Sequence, residues 1–133
     1  MKHIKNYLST LKKGINALDV IKLQKIEEII FNKIKKNKKI FICGNGGSAS
    51  VANHFLCDFN KGIKLSSNNK LKPKIISLSD NIETILAVAN DISFNKIFSF
   101  QLDNHYSKGD LVILLSCSGS SPNIIDTLNY CKK

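Results

Sequence analysis

Arginine is absent from this 133-residue chain, and all 20 of its basic residues are lysine. Arginine is the side chain that grips bases and phosphates in bidentate fashion, so its absence argues against a nucleic-acid reader. Long hydrophobic runs are missing too: no apolar stretch approaches the roughly 20 residues that span a membrane. Residues 1–6 open with Lys2 and His3 and contain no apolar core of a secretory signal. Four cysteines occur, Cys43, Cys57, Cys117 and Cys131, with no C-x-x-C pair among them, which excludes the zinc-ribbon and thioredoxin patterns. Cys43 and Cys117 lie in or beside apolar runs, as reduced thiols of a cytosolic protein do. The expectation is a cytoplasmic protein without a membrane or nucleic-acid partner.

What is present is an ordinary globular composition, 43% hydrophobic and 23% charged, at a length suited to one domain with one core. The net charge is +10. Much of the lysine sits in short runs such as Lys35-Lys36 and Lys38-Lys39. Such runs make a solvated surface, and their summed field also steers anionic ligands inward.

Periodicity divides the chain into a helical region, 1–36, and an α/β region, 37–133. Apolar residues at three- and four-residue spacing (Ile4, Leu8, Leu11, Ile15, Leu18, then Ile21 to Ile34) predict helix over 4–36, with Asp19 capping the second half. Short apolar runs at 39–43, 74–78 and 111–115 read as buried parallel strands. Helices are expected at 48–60, at 82–89 with Asp80 as cap, at 94–106, and from Pro122 to Tyr130; Asn90-Asp91 breaks the second of these. Residues 61–73 read as a surface loop. Strands alternating with helices predict a doubly wound, flavodoxin-like parallel sheet, whose ligands bind at the carboxyl ends of the strands.

Two loops follow strands and so lie at that end. Gly44-Asn45-Gly46-Gly47-Ser48 precedes a helix; glycines allow close backbone approach, and a helix N-terminus favours an anion. It lacks the Gly-Lys-Ser/Thr of a Walker loop and the G-x-G-x-x-G of a dinucleotide site. Ser116-Cys117-Ser118-Gly119-Ser120-Ser121 crowds hydroxyls behind the third strand, which suits a phosphate and equally suits a helix N-cap. His54 and Asp58 share a helix face four residues apart. That pair is an acid–base couple, half of a metal site, or a surface hydrogen bond.

Taken in order, Cys43-Gly-Asn-Gly-Gly-Ser-Ala49 with His54, then Ala87-Val-Ala-Asn-Asp91, then Lys108-Gly-Asp110 and Ser116-Cys-Ser-Gly-Ser-Ser-Pro-Asn123, resemble the signatures of bacterial phosphoheptose isomerases, members of the SIS (sugar isomerase) domain family. The resemblance implies a single SIS domain over 1–133. It implies an aldose–ketose isomerase that converts sedoheptulose 7-phosphate to a glycero-manno-heptose 7-phosphate through an enediol, for lipopolysaccharide or capsule. It implies a homotetramer joined through N-terminal helices, which accounts for the wide apolar stripes of residues 4–36.

By the same resemblance Asp58 stands where the family has a Glu as base. Sugar contacts fall to Asn45, Gly46, Gly47, Ser48, Asn90 and Asp91, and phosphate contacts to Ser116, Cys117, Ser118 and Ser121. Cys117 replaces the usual Thr. Some members bind zinc, which here would engage His54 and Asp58. Relatives continue with further strand–helix units that carry a second catalytic residue, a His, and the remaining zinc ligands, so the expectation is a C-terminally truncated member with the last strands missing. The alternative is a non-catalytic SIS module that binds a phosphosugar or a protein such as the replication initiator.

Overall fold

The structure, a computed structural model, describes residues 1–132. Two helices lead, α1 (Lys2–Asn16) and α2 (Val20–Lys35). The Asp19 carboxylate caps α2 by accepting from Lys22 N–H at 3.1 Å. Its other end closes in a Schellman motif. Asn37 takes a left-handed conformation (φ 54°), Asn37 N–H donates to Ile34 O, and Lys38 N–H donates to Lys33 O. The chain turns there directly into the sheet.

Three strands, β1 (Lys39–Gly44), β2 (Lys74–Ser77) and β3 (Leu111–Leu115), pair in the order β2-β1-β3, all parallel. The register runs from Lys39↔Lys74 to Ile42↔Ser77 on one side and from Ile40↔Leu111 to Gly44↔Leu115 on the other. Alternation along β1 divides the core. Ile40 and Ile42 pack with Ile34, Ala52 and Ile75, whereas Phe41 and Cys43 pack with Leu78, Val88, Phe98, Leu102 and Ile124. Hence α2 and α3 (Gly47–Asp58) cover one face. The other is covered by α5 (Ile82–Asp91), α6 (Ser99–His105) and α7 (Pro122–Cys131). This is the doubly wound arrangement that the strand–helix alternation implies. The chain passes from β1 to β2 on one side and returns to β3 on the other. The gap between the carboxyl ends of β1 and β3 is therefore the topological switch point, where such sheets bind ligands.

Four local expectations differ from the structure. Residues 61–66 are not loop: a π-helical turn (Phe59–Ile63) and a short helix, α4 (Lys64–Ser66), continue α3. Tertiary packing accounts for this. Phe55 and Phe59 stack with centroids 3.8 Å apart, and the Asn60 amide docks on the outer edge of β2, donating to Ile75 O and accepting from Ile75 N–H, both at 3.0 Å. The cap of α5 is Asn81, which accepts from Thr84 N–H at 2.7 Å, rather than Asp80. Asn90 and Asp91 remain inside α5, and the segment 94–106 splits into a 3-10 turn (Phe94–Lys96) and α6.

Because Asn60 satisfies both backbone groups of buried Ile75, Asn60→Ala leaves them unpaired. We expect a loss of about 1–3 kcal/mol in urea unfolding, with unchanged secondary structure by circular dichroism.

Candidate functional site

Both loops singled out above leave the sheet at the switch point. Gly44, the last residue of β1, lies opposite Leu115, the last of β3. A Cβ at Gly44 would stand 2.6 Å from Ser48 Cβ and 2.9 Å from Leu115 O, so the absent side chain is what lets helix α3 and strand β3 close on this point. Gly46 turns the chain with φ 53° into the first turn of α3. Ser79, just past β2, braces the turn from the far side: its Oγ donates to Gly44 O at 2.9 Å and accepts from Gly44 N–H at 3.1 Å.

The serine loop closes the other wall. Ser116 Oγ accepts from Gly119 N–H at 3.0 Å and Ser118 Oγ from Ser120 N–H at 3.3 Å. Ser118 Oγ lies 3.5 Å from both Ser116 Oγ and Ser121 Oγ. Gly119, with φ 66°, makes the turn. Three hydroxyls thus converge at the N-terminus of α7, which Pro122 opens. Between the loops lies a cleft of about 360 Å³ lined by Asn45, Gly47, Ser48, Ser116, Cys117, Ser118 and Ser121, with Val51 and Leu115 as apolar walls. Ser48 Oγ and Cys117 Sγ face each other across it at 4.0 Å. The N-termini of two helices and a set of hydroxyls, with no carboxylate in the lining, form an environment for an anion.

A second cleft, of about 460 Å³, adjoins it and shares Val51; its other walls are Ser50, His54, Phe55 and Asp58. His54 Nδ1 and Asp58 Oδ2 are 2.8 Å apart, both side chains largely exposed. Ten residues separate Ser48 from Asp58 along α3, a rise of about 15 Å, so hydroxyl cradle and carboxylate stand at opposite ends of one helix. Asn90 and Asp91 lie elsewhere. They bond to each other (Nδ2 to Oδ1, 2.8 Å) at the end of α5 and line neither cleft.

Zinc asks for three or four protein ligands. His54 and Asp58 offer two, already bonded to each other, and no cluster of three such residues exists among the described residues. The described residues by themselves do not make up a zinc site.

A family model describing the SIS domain matches residues 3–133. The chain belongs to the SIS-domain family. Within it, the chain is 35% identical over 127 residues to phosphoheptose isomerase 1 of Campylobacter jejuni, covering 92% of this chain and 65% of that protein. It is 33% identical over 134 residues to the phosphoheptose isomerase of Campylobacter concisus, covering 98% and 68%. Among solved structures it resembles phosphoheptose isomerase GmhA from Neisseria gonorrhoeae, with a TM-score of 0.82 at 26% identity over 98% of this chain and 66% of that one. The chain thus spans about two thirds of the length of these relatives. The SIS fold accounts for both loops, since it sets them at one switch point.

Two site residues escape sequence reasoning, Ser79 and Asn123. Asn123 is fully buried and exchanges hydrogen bonds with Asn45. A lone Ser after a strand and an Asn in the first turn of a helix look like local caps, and nothing in the spacing announces partners 35 and 78 residues away.

Burial, with a smaller repulsion from Cys131, pushes the Cys43 thiol from 9.0 up to about 12. At pH 8 iodoacetamide should modify exposed Cys57 and Cys117 in the folded chain and spare Cys43 until denaturant is added; mass mapping reads this. In the folded state Cys43 holds its proton where the unfolded chain has lost it. Its contribution to stability is therefore full below pH 9 and declines as pH rises toward 12.

Proposed function

We propose that this SIS domain is a phosphoheptose isomerase-type polypeptide that binds sedoheptulose 7-phosphate and interconverts it with the aldose glycero-manno-heptose 7-phosphate, in the cytoplasm, toward heptose for lipopolysaccharide or capsule. The observation that carries the reading is the hydroxyl-lined cleft continuing, past Val51, into one that holds the His54-bonded carboxylate of Asp58. The phosphate sits among Ser48, Ser116, Ser118 and Ser121 and the helix N-termini. The sugar chain extends along α3 toward Asp58, a span suited to an elongated phosphosugar whose reacting carbons lie far from its phosphate. The names of the relatives support the phosphoheptose.

In this reading Asp58 removes the C1 proton next to the C2 carbonyl. The electron pair forms the C1–C2 double bond of an enediol as the C2 oxygen gains a proton. Loss of the C1 hydroxyl proton and return of a proton to C2 then complete the aldose. His54 orients the carboxylate through Nδ1, leaving Asp58 Oδ1 for the substrate. Asn90 and Asp91 line neither cleft of this chain, and a role for them on the sugar belongs to an assembly. A zinc ion would need ligands beyond His54 and Asp58.

The assembly we propose is a homo-oligomer, a tetramer by resemblance. No residue of α1 is buried, and Ile4, Leu8, Leu11 and Ile15 are exposed along it, an apolar stripe of the kind that a partner helix covers. No helix among the described residues is long and apolar enough to cross a membrane.

The test is turnover of sedoheptulose 7-phosphate, followed by aldose formation, beside calorimetric binding. Asp58→Asn should abolish turnover and leave binding within a few-fold. Asp58→Glu restores the longer family side chain and should raise the rate by on the order of 100-fold, the scale of an ångström-sized correction in base position. Binding without turnover in every variant would instead identify a phosphosugar-binding module, and no binding would sink the phosphosugar reading.

A further inference from the structure

Asn45 and Asn123 form a bond set unlike any other in the cleft. Asn123 lies in the first turn of α7 with none of its surface exposed. Its Nδ2 donates to Asn45 Oδ1 at 2.8 Å, and Asn45 Nδ2 donates back to Asn123 Oδ1 at 2.9 Å. The two amides close a ring, head to tail, in which each side chain gives one hydrogen and takes one. Asn45 belongs to the loop after β1 and Asn123 to the helix after β3, so this ring crosslinks the two walls of the cradle. The remaining side-chain link between the loops, Ser48 Oγ to Cys117 Sγ at 4.0 Å, is long and weak. The helix end of the crosslink is held in turn, because Thr127 Oγ1 donates to Asn123 O at 2.6 Å from a buried position.

We propose that Asn123 is a positioning residue, and that the Asn45–Asn123 amide ring fixes the spacing between the glycine loop and the serine loop at the width that an oxyanion needs. The inference rests on the reading of the cleft as a phosphate site and refines the part that Asn45 plays in it. Asn45 then acts on the ligand through the shape of the cradle: each polar atom of its amide makes one bond to Asn123, which leaves one N–H and one lone pair at the cleft wall. The physical reason is geometric. Donors from two separate strands serve one phosphate only if all stand near 3 Å from its oxygens, and loops that drift apart lose that fit before they lose their fold. Asn123 is suited to the task because it is rigidly buried, whereas Asn45 stands half-buried at the cleft wall.

The experiment is a double-mutant cycle on the 133-residue chain, read by calorimetric titration with inorganic phosphate and with sedoheptulose 7-phosphate, well below the unfolding temperature of each variant. Asn45→Ala and Asn123→Ala should each weaken both ligands by the same factor, about tenfold, and the double variant should be no weaker than either single one, because either change opens the whole ring. A purely structural role would lower the unfolding temperature and leave both affinities unchanged, which would overturn the proposal. Single effects that multiply in the double variant would overturn it as well. So would a loss confined to the phosphosugar in Asn45→Ala, the mark of a direct sugar contact. Should Asn123→Ala fail to fold, Asn45→Ala alone still decides, by whether phosphate and phosphosugar weaken together. Variants that bind like the wild type defeat the role of the amide ring alone, while a wild-type chain silent toward both ligands defeats the phosphosugar reading and the ring's role with it.

Discussion

Gly44 is the point at which three pieces of backbone converge: the end of β1, the first turn of α3 and the carbonyl of Leu115. A single methyl group there would overlap both Ser48 and β3. The parallel register that sets Gly44 against Leu115 therefore depends on a missing side chain, and the site depends on that register. If β3 were displaced from β1, the serine loop would leave the glycine loop, and the hydroxyls would no longer face Ser48. Close packing of this kind has no slack, because interiors are as dense as organic crystals and relax little around an added carbon.

Around that contact the structure places polar braces rather than further apolar bulk. Ser79 holds both the N–H and the C=O of Gly44. Ser77, at the end of β2, bonds Asn53 on α3 at 2.6 Å and accepts from Ser79 N–H at 3.1 Å. The opposite end of the sheet is tied differently. The buried carboxylate of Asp110 accepts from Lys39 N–H and Ser107 N–H, and lysines 33 and 38 reach the carbonyls of Gly109 and Lys108. Two of the lysines thus serve as struts for the turn before β3, while at the other end no carboxylate lines the cleft between the glycine and serine loops. Buried polar groups with full sets of partners make a rigid frame, and no buried side-chain nitrogen or oxygen among the described residues lacks a partner.

Much of this was legible beforehand. The three apolar runs became the three strands, Asp19 became a cap, and the strand–glycine loop–helix unit lies where it was expected. Local signals sufficed there because short buried strands and capped helices announce themselves within a few residues. The reading failed where a distant contact outweighed local composition. Residues 61–66 look like loop, being polar and lacking an apolar stripe, yet the Asn60 clamp on Ile75 and the stacking of Phe55 on Phe59 draw the segment into helix. Asn90 and Asp91 look like breakers, yet α5 carries them in its last turn.

By itself, then, the sequence determined the alternation of strand and helix, the family, and the residue types at the two loops, because glycine and serine in those positions answer to backbone geometry and anion chemistry that operate over a few bonds. Tertiary structure alone decided which side chains share the cleft and which do not. It brought Asn123 to Asn45 across 78 residues, put Ser79 behind the glycine turn, and left Asn90 and Asp91 apart from both clefts. Those choices follow from the order β2-β1-β3. Strand order is a property of how whole units pack across a shared core, and no local stretch of sequence encodes it.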